Sequence, residues 1–364
     1  MASYNLSIDD ANSTNTDDTV GFNLFYAIFL PTFCTTTVLG NLATIRAFWK
    51  LPELWERPSE ALILSLACAD FGTGLLVVPL WSPMYITPGY YPFGEGVCGI
   101  FIFLLDVQVN ASLLTLLNIS IDRFMMVYKE YPQYLKMQTK TRINVTIGIS
   151  WSIAIFTGVV ELSMWEFAKT RDYTAANIDY AKVCLSPARR WQTFSITLFM
   201  VFYFIPALMM CCFSGSFLYH LRKRLIKNRT EIPGSSVQRS AQNSGVNMEN
   251  TSFSKPSTSA VIQQAVRKRR RQVRNRYVRP AITLMVLVVA MLVCILPYCC
   301  YVLVVECLCQ RCTYQFDLFV GLLFLQFCNA CLDPFLYAVT QRKIREYHVR
   351  TFKSLKSYVF PLYV

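Results

Sequence analysis

Seven mainly apolar stretches punctuate the chain, at roughly 22–48, 60–82, 98–127, 143–165, 193–219, 281–305 and 316–340. A helix that crosses a bilayer needs about 20 such residues, since each rises about 1.5 Å and the hydrocarbon core is about 30 Å thick. Lipid offers no hydrogen bond to an exposed peptide group, so only helices or a closed barrel can traverse it. Barrel strands are about ten residues long and alternate apolar with polar. These stretches are longer and do not alternate. The expected fold is therefore an all-α membrane protein, a seven-transmembrane helix bundle. Only 16% of the 364 residues are charged, where a soluble chain carries about a quarter. Lipid-facing surface accounts for the deficit.

Orientation follows from the basic residues. The flank before the first stretch holds Asp9, Asp10, Asp17 and Asp18 and no Lys or Arg. A secretory signal has a positive flank and a shorter apolar run. Residues 1–21 are thus expected to be an extracellular tail. Under that topology Lys169, Arg171, Lys182, Arg189, Arg190 and Arg311 are the only outer ones among 35 basic residues, as the positive-inside rule requires. The expected location is the plasma membrane, multi-pass. The net charge of +13 is then mostly cytoplasmic and suits anionic lipid and acidic partners rather than nucleic acid. Asn5-Leu-Ser and Asn12-Ser-Thr in the tail match the N-glycosylation acceptor.

The transmembrane domain is expected over 22–340, interrupted by one long inner loop, 222–279, with basic ends and a Ser-, Asn- and Gln-rich middle. Such a middle cannot bury a core and should be disordered. The basic ends are expected to extend the fifth and sixth helices, touching headgroups or a partner. In 341–364, Ile344, Tyr347, Phe352 and Leu355 fall near one helical face. That pattern predicts a short amphipathic helix on the inner leaflet.

Several charges sit at membrane depth, where charge is costly and usually functional. Asp106 lies eight residues past Cys98, about 12 Å along a helix, and the pair Asp122-Arg123 lies about 25 Å further in. Asp70 is mid-helix, and Asp333 is in the inner half of the last span. With Ser112 and Asn329 these two carboxylates could hold a cation such as sodium, because hard cations take oxygen ligands. Alternatively they are protonated and hydrogen-bonded. Pro79, Pro206, Pro297 and Pro334 lie within spans and allow kinks.

Cys98 and Cys184 both face the oxidising side, which favours a disulfide between them. Cys309 and Cys312 could pair or bind zinc. The two histidines, His220 and His348, are cytoplasmic in this topology, so a disulfide is favoured, with Cys307 as a competing partner. HExxH, Walker and GxSxG patterns are absent, so no enzymatic activity and no resident cofactor are expected.

Taken in order, GNLATI with Asn41, LSLACAD with Asp70, Cys98, the DRF of Asp122-Arg123, Trp151, Pro206, CILP with Cys294 and Pro297, and DPFLY with Asp333, Pro334 and Tyr337 resemble the rhodopsin-like G-protein-coupled receptors. The resemblance covers roughly 22 to 350, minus the long inner loop. It implies an extracellular ligand that favours a bundle open at its inner end, where a heterotrimeric G protein binds through Arg123. It also implies arrestin and receptor kinase as partners. Asp122, Arg123, Pro297, Asp333, Pro334 and Tyr337 would form the coupling and switch set.

YPFGEGVC and the Asp106 segment resemble biogenic-amine receptors, in which a helix-three aspartate pairs with the ligand ammonium. Counted back from DRF, Leu105 takes that place and Asp106 falls one residue late, about 100° around the helix. Either a local bulge restores Asp106 to the pocket, or it faces a neighbouring helix. The implied ligand set is Asp106, Leu105, Val109, Phe199, Phe202, Ile295, Tyr298 and Phe327. A small amine is the expected ligand, with a peptide, lipid or other small molecule as alternatives. No lysine lies in helix seven, which argues against a retinal Schiff base, and the fifth-helix serines of catechol receptors are not evident. Ile295 replaces the family's usual tryptophan, Ser214 its tyrosine, and no acid near Tyr277 is placed to restrain Arg123. These departures predict appreciable ligand-independent activity. An ion-coupled transporter using Asp70, Asp106 and Asp333 is the rival, but it predicts internal repeats, which are not found.

Overall fold

The computed structural model describes residues 16–56, 58–83, 91–129, 131–171, 184, 192–230, 278–308 and 316–359. Among them there is no strand. The helices are α1 (Thr16–Lys50); α2, built from Ala61–Gly72, a π turn Thr73–Val77 and Val78–Trp81; α3 (Gly94–Tyr128); and α4 (Lys140–Arg171). Then follow α5, built from Gln192–Phe199, a π turn Met200–Phe204 and Ile205–Thr230; α6, Arg279–Tyr301 continued by the π segment Val302–Leu308; α7 (Phe316–Thr340); and α8 (Arg342–Val359). Each of α1 to α7 contains a segment long and apolar enough to cross a membrane. A short helix, Tyr131–Met137, separates α3 from α4.

Two of the wide turns have a common cause. Proline has no N–H, and its ring presses on the carbonyl four residues earlier. For Pro79 that carbonyl belongs to Leu75, and for Pro206 to Phe202. Both lie at the centre of a five-residue π turn. The helix widens by one residue where the proline would otherwise clash. Around Pro297 the helix stays α-helical.

Packing follows from residue size. α3 touches α2, α4, α5 and α6 and is the central column. Its approach to α4 depends on Ala111, Ala154 and Gly158. A Cβ on Gly158 would sit 2.6 Å from Val107 Cγ2 and 3.1 Å from the Phe103 carbonyl oxygen. Such small residues let helix backbones close up where lipid gives no hydrophobic drive. Polar side chains in the spans bond locally or across helices. Thr32, Thr36 and Thr37 donate to carbonyls four residues back. Trp151 Nε1 donates to Ser65 Oγ at 3.0 Å, and Asn118 donates to Ser150 Oγ at 2.8 Å. Large apolar side chains such as Ile28, Phe156, Val293 and Phe335 point outward, as a lipid-facing wall requires.

Several expected boundaries move. α1 begins at Thr16, inside the stretch read as tail. α3 starts at Gly94, one turn before Cys98. The fifth helix extends to Thr230, through the basic start of the inner loop, as its charge pattern predicts. Ile344 is fully buried in the bundle and Tyr347 packs against the same core, so α8 is docked on protein along this edge rather than resting on lipid alone. Lys343 Nζ reaches the Glu53 carboxylate at 3.2 Å. Asn5, Asn12, Tyr277, Cys309 and Cys312 lie outside the described residues, as do the side chains of Cys307, Phe352 and Leu355.

Candidate functional site

Functional side chains gather at three depths. At the end that holds Cys98, a cavity of about 170 Å³ opens between α3, α4, α5, α6 and α7. A cavity near 150 Å³ admits benzene, so this one suits a molecule built around one small ring or a short chain. Cys184 is disulfide-bonded to Cys98, with 5.6 Å between Cα atoms, and lines the same cavity. The expected Cys98–Cys184 bond is therefore present.

Asp106, Leu105, Val109, Phe199, Phe202, Ile295 and Tyr298 all line the cavity. α3 is regular through this segment. Asp106 nevertheless lines the cavity and at the same time meets a neighbouring helix. The Tyr203 hydroxyl, from the π turn of α5, donates to Asp106 Oδ1 at 2.5 Å. Asn110 Nδ2 donates to the Tyr203 oxygen at 3.2 Å. Thr157 lies beside the cavity, but its hydroxyl hydrogen goes to the Ala154 carbonyl at 2.9 Å. Asp106 Oδ2 remains buried with no partner, as does the cavity-lining Gln326 Oε1.

Phe327 corrects the sequence reading. It does not line the cavity; its ring packs edge-on against Trp81 at 5.4 Å between centroids and is buried there. Gln326, about 100° around the helix, takes the cavity position. Sequence reasoning also passed over Glu161, Tyr203 and Ser195, which line the cavity. Ser195 supplies a fifth-helix hydroxyl where none was evident. Glu161 was visible as a lone acid in an apolar span, the same signal that marked Asp106.

At mid-depth the structure brings Asp70, Ser112, Asn329 and Asp333 into the buried interior. Ser112 Oγ donates to Asp70 Oδ1 at 3.3 Å. Asp70 and Asp333 approach within hydrogen-bond reach. Asp70 Oδ2, Asn329 Oδ1 and both Asp333 oxygens are buried without a donor. Four buried acceptor oxygens left without a donor fit a hard cation, or a proton shared by the two acids.

At the opposite end, Arg123 Nη1 lies 3.7 Å from Asp122 Oδ2, and both side chains are buried. The Tyr134 hydroxyl donates to both Asp122 oxygens, at 3.1 and 3.3 Å, and the Gln138 amide donates to Oδ1. Burial, reinforced by the Asp122 carboxylate, raises the Tyr134 pKa far above the usual phenol range, so it remains a donor. The short helix after α3 thus holds Asp122, a role no sequence signal announced. Arg224 Nη2 donates to the Lys129 carbonyl at 2.7 Å, tying α5 to the end of α3. Ser214 Oγ lies 3.3 Å from Ser120 Oγ. Tyr337 is fully buried in the core at this end, and Pro297 and Pro334 sit inside α6 and α7.

Comparison with known proteins agrees with this layout. Residues 40–337 match the family described as 7 transmembrane receptor (rhodopsin family). The D(1A) dopamine receptor of Xenopus laevis is 24% identical over 346 residues, covering 92% of this chain and 74% of that receptor. The D(1)-like dopamine receptor of Takifugu rubripes is 27% identical over 230 residues, 61% of this chain and 48% of that receptor. The muscarinic acetylcholine receptor M3 of Rattus norvegicus is 29% identical over 176 residues, 46% of this chain and 29% of that receptor. The chain therefore spans less than half the length of the last two. With seven membrane-spanning helices and a family match across nearly all of them, the chain belongs to the rhodopsin family of seven-transmembrane receptors.

Proposed function

We propose that this receptor binds a small extracellular amine and promotes nucleotide exchange on a heterotrimeric G protein. The observation that carries the reading is Asp106 Oδ2, a buried carboxylate oxygen without a donor in an aromatic-walled cavity. An ammonium supplies the missing donors and the missing charge. The phenyl and phenol faces of Phe199, Phe202 and Tyr298 suit a cation or a ring. The cavity's size favours a small molecule over a peptide. Dopamine and acetylcholine, which name the relatives' ligands, both carry a cationic nitrogen.

In this reading the Cys98 end and the N-terminus are extracellular, and Arg123 faces the cytoplasm. The ligand acts by binding one packing of the helices more tightly than another. Tyr203 connects Asp106 to α5, whose far end holds the α3 terminus through Arg224. A change at Asp106 can thus bias the contacts around Asp122 and Arg123, where the G protein would bind. Receptor kinase and arrestin would follow on the same cytoplasmic face. Asp70, Ser112, Asn329 and Asp333 would hold sodium in the resting packing. Basal activity is expected to be high, because the basic sequence around Tyr277 offers no acid to restrain Arg123.

The test is a panel of monoamines read by G-protein dissociation in cells, with Asp106→Asn at matched surface expression. Loss of response in the variant is the expected result. An unchanged response places the ligand elsewhere.

A further inference from the structure

Resting on the amine reading, we propose that Gln326 of α7 is the residue that selects among amines, by bonding a hydroxyl at the end of the ligand remote from its ammonium. Gln326 stands ten residues into α7 and Asp106 twelve into α3, about 15 and 18 Å from the starts of their helices. Both line the same cavity. α7 packs mainly on α6 and α1, whereas α3 packs mainly on α4 and α5. The two side chains therefore enter the cavity from different walls, and one ligand can be held at two points.

Gln326 is only 6% exposed, and its Oε1 is buried without a donor. An unpaired amide in such a place is costly. Leu323, one turn earlier on the same wall, shows the apolar choice that would avoid the cost. The amide carries an acceptor at one corner and a donor at the other, and half a turn of its last torsion exchanges them. A hydroxyl both donates and accepts, so it answers the amide in either orientation. An ether oxygen only accepts and leaves Oε1 unpaired. A ligand carboxylate finds no Lys, Arg or His among the described residues of the wall. Ser195 of α5 is the rival partner for a ligand hydroxyl, but it is half-exposed, so water satisfies it when the cavity is empty. Phe199, Phe202 and Ile295 supply apolar surface for a ring. At about 170 Å³ the space limits the ligand to one ring with short arms.

The test compares 2-phenylethylamine with its 3- and 4-hydroxy derivatives and the matching methoxy ethers, on the full chain. G-protein dissociation in cells at matched surface expression gives potency, and the thermal shift of the detergent-purified receptor gives binding independent of coupling. In the unmodified receptor at least one phenol should exceed the parent amine by about tenfold, and its ether should lose that gain. Gln326→Met keeps the length of the side chain and removes its polar end. It should bring the phenol-to-parent ratio to near one by loss on the phenol side, while the parent keeps its potency. Gln326→Asn should retain part of the ratio, Ser195→Ala should leave it unchanged, and Asp106→Asn should weaken every compound. The hydroxyl-to-ether comparison needs no variant, so it decides even if a substitution prevents folding. Phenols no better than the parent or than their ethers, a ratio that survives Gln326→Met, or a ratio lost in Ser195→Ala instead, each overturn the assignment of Gln326 and leave the amine reading standing. If no compound of the series binds or signals, the amine reading falls and this inference falls with it.

Discussion

Asn41 donates its side-chain amide to the Ala330 carbonyl at 3.0 Å, four residues before Pro334, whose nitrogen cannot supply the hydrogen that carbonyl would otherwise accept. α1 thereby completes the hydrogen bonding of α7 at its proline. The contact is tight because residue 40 is glycine. A Cβ there would lie 3.0 Å from both Cβ and Cγ of Pro334. The geometry of α7 at this level is a joint property of two helices.

Asn41→Ala should lower stability by about 1–3 kcal/mol, since it leaves a buried carbonyl without a donor. The measurement is the Tm of the purified receptor in detergent. Gly40→Leu should be worse, because the proline ring is rigid and cannot yield. An unchanged Tm in Asn41→Ala would mean that water replaces the amide.

Tyr203→Phe removes the hydroxyl held by Asp106 and keeps the ring. Amine potency should change by roughly tenfold, the worth of one hydrogen bond to a charged group, and by less than in Asp106→Asn. Concentration–response curves at matched expression decide it. A larger effect than Asp106→Asn would mean that the phenol, not the carboxylate, anchors the ligand.

Gly158→Leu should abolish surface expression. Its side chain would enter the space of Val107 and the Phe103 carbonyl, and backbone cannot move aside cheaply. Flow cytometry against an N-terminal epitope reads the result, and normal surface levels would contradict the close approach of α3 to α4.

Acidification should loosen α8. Arg342 bonds Glu346 at 2.5 Å and lowers its pKa. His348 has its pKa lowered by burial, despite its bond to the Ala43 backbone, and its buried Nε2 has no acceptor. Both folded-state pKa values are depressed, so both contributions are present at neutral pH and are lost as pH falls, His348 first, below about 6.5. Hydrogen exchange in α8, in nanodiscs between pH 7.5 and 5, should accelerate at low pH. His348→Gln should remove the first phase.

The seven spans were legible because lipid imposes one length and one composition on every crossing. The Asp70–Asp333 cluster was legible because carboxylates at membrane depth need a partner, and the Cys98–Cys184 bond because both cysteines fall on the oxidising side. Side-chain direction was harder. Asp106 reaches Tyr203 because α5 widens at Pro206, and a one-residue widening changes the phase of every residue before it. Phe327 was misplaced because Trp81 offers its ring a better apolar partner than the cavity does. Tyr134 and Gln138 could not be anticipated, since a polar inner loop carries no period that reveals what it folds back upon. Glu161 was within reach of the sequence, because the cost of a lone carboxylate in an apolar span applies to α4 as it does to α3.

Cys184 has a left-handed backbone, φ 49°, and is bonded to α3 while forming part of the cavity wall. Cys184 is thus a piece of cavity wall that cannot drift away from α3. How long an agonist stays, and therefore how many transducers one occupancy can service, depends on this fixed side of the cavity as well as on its charges.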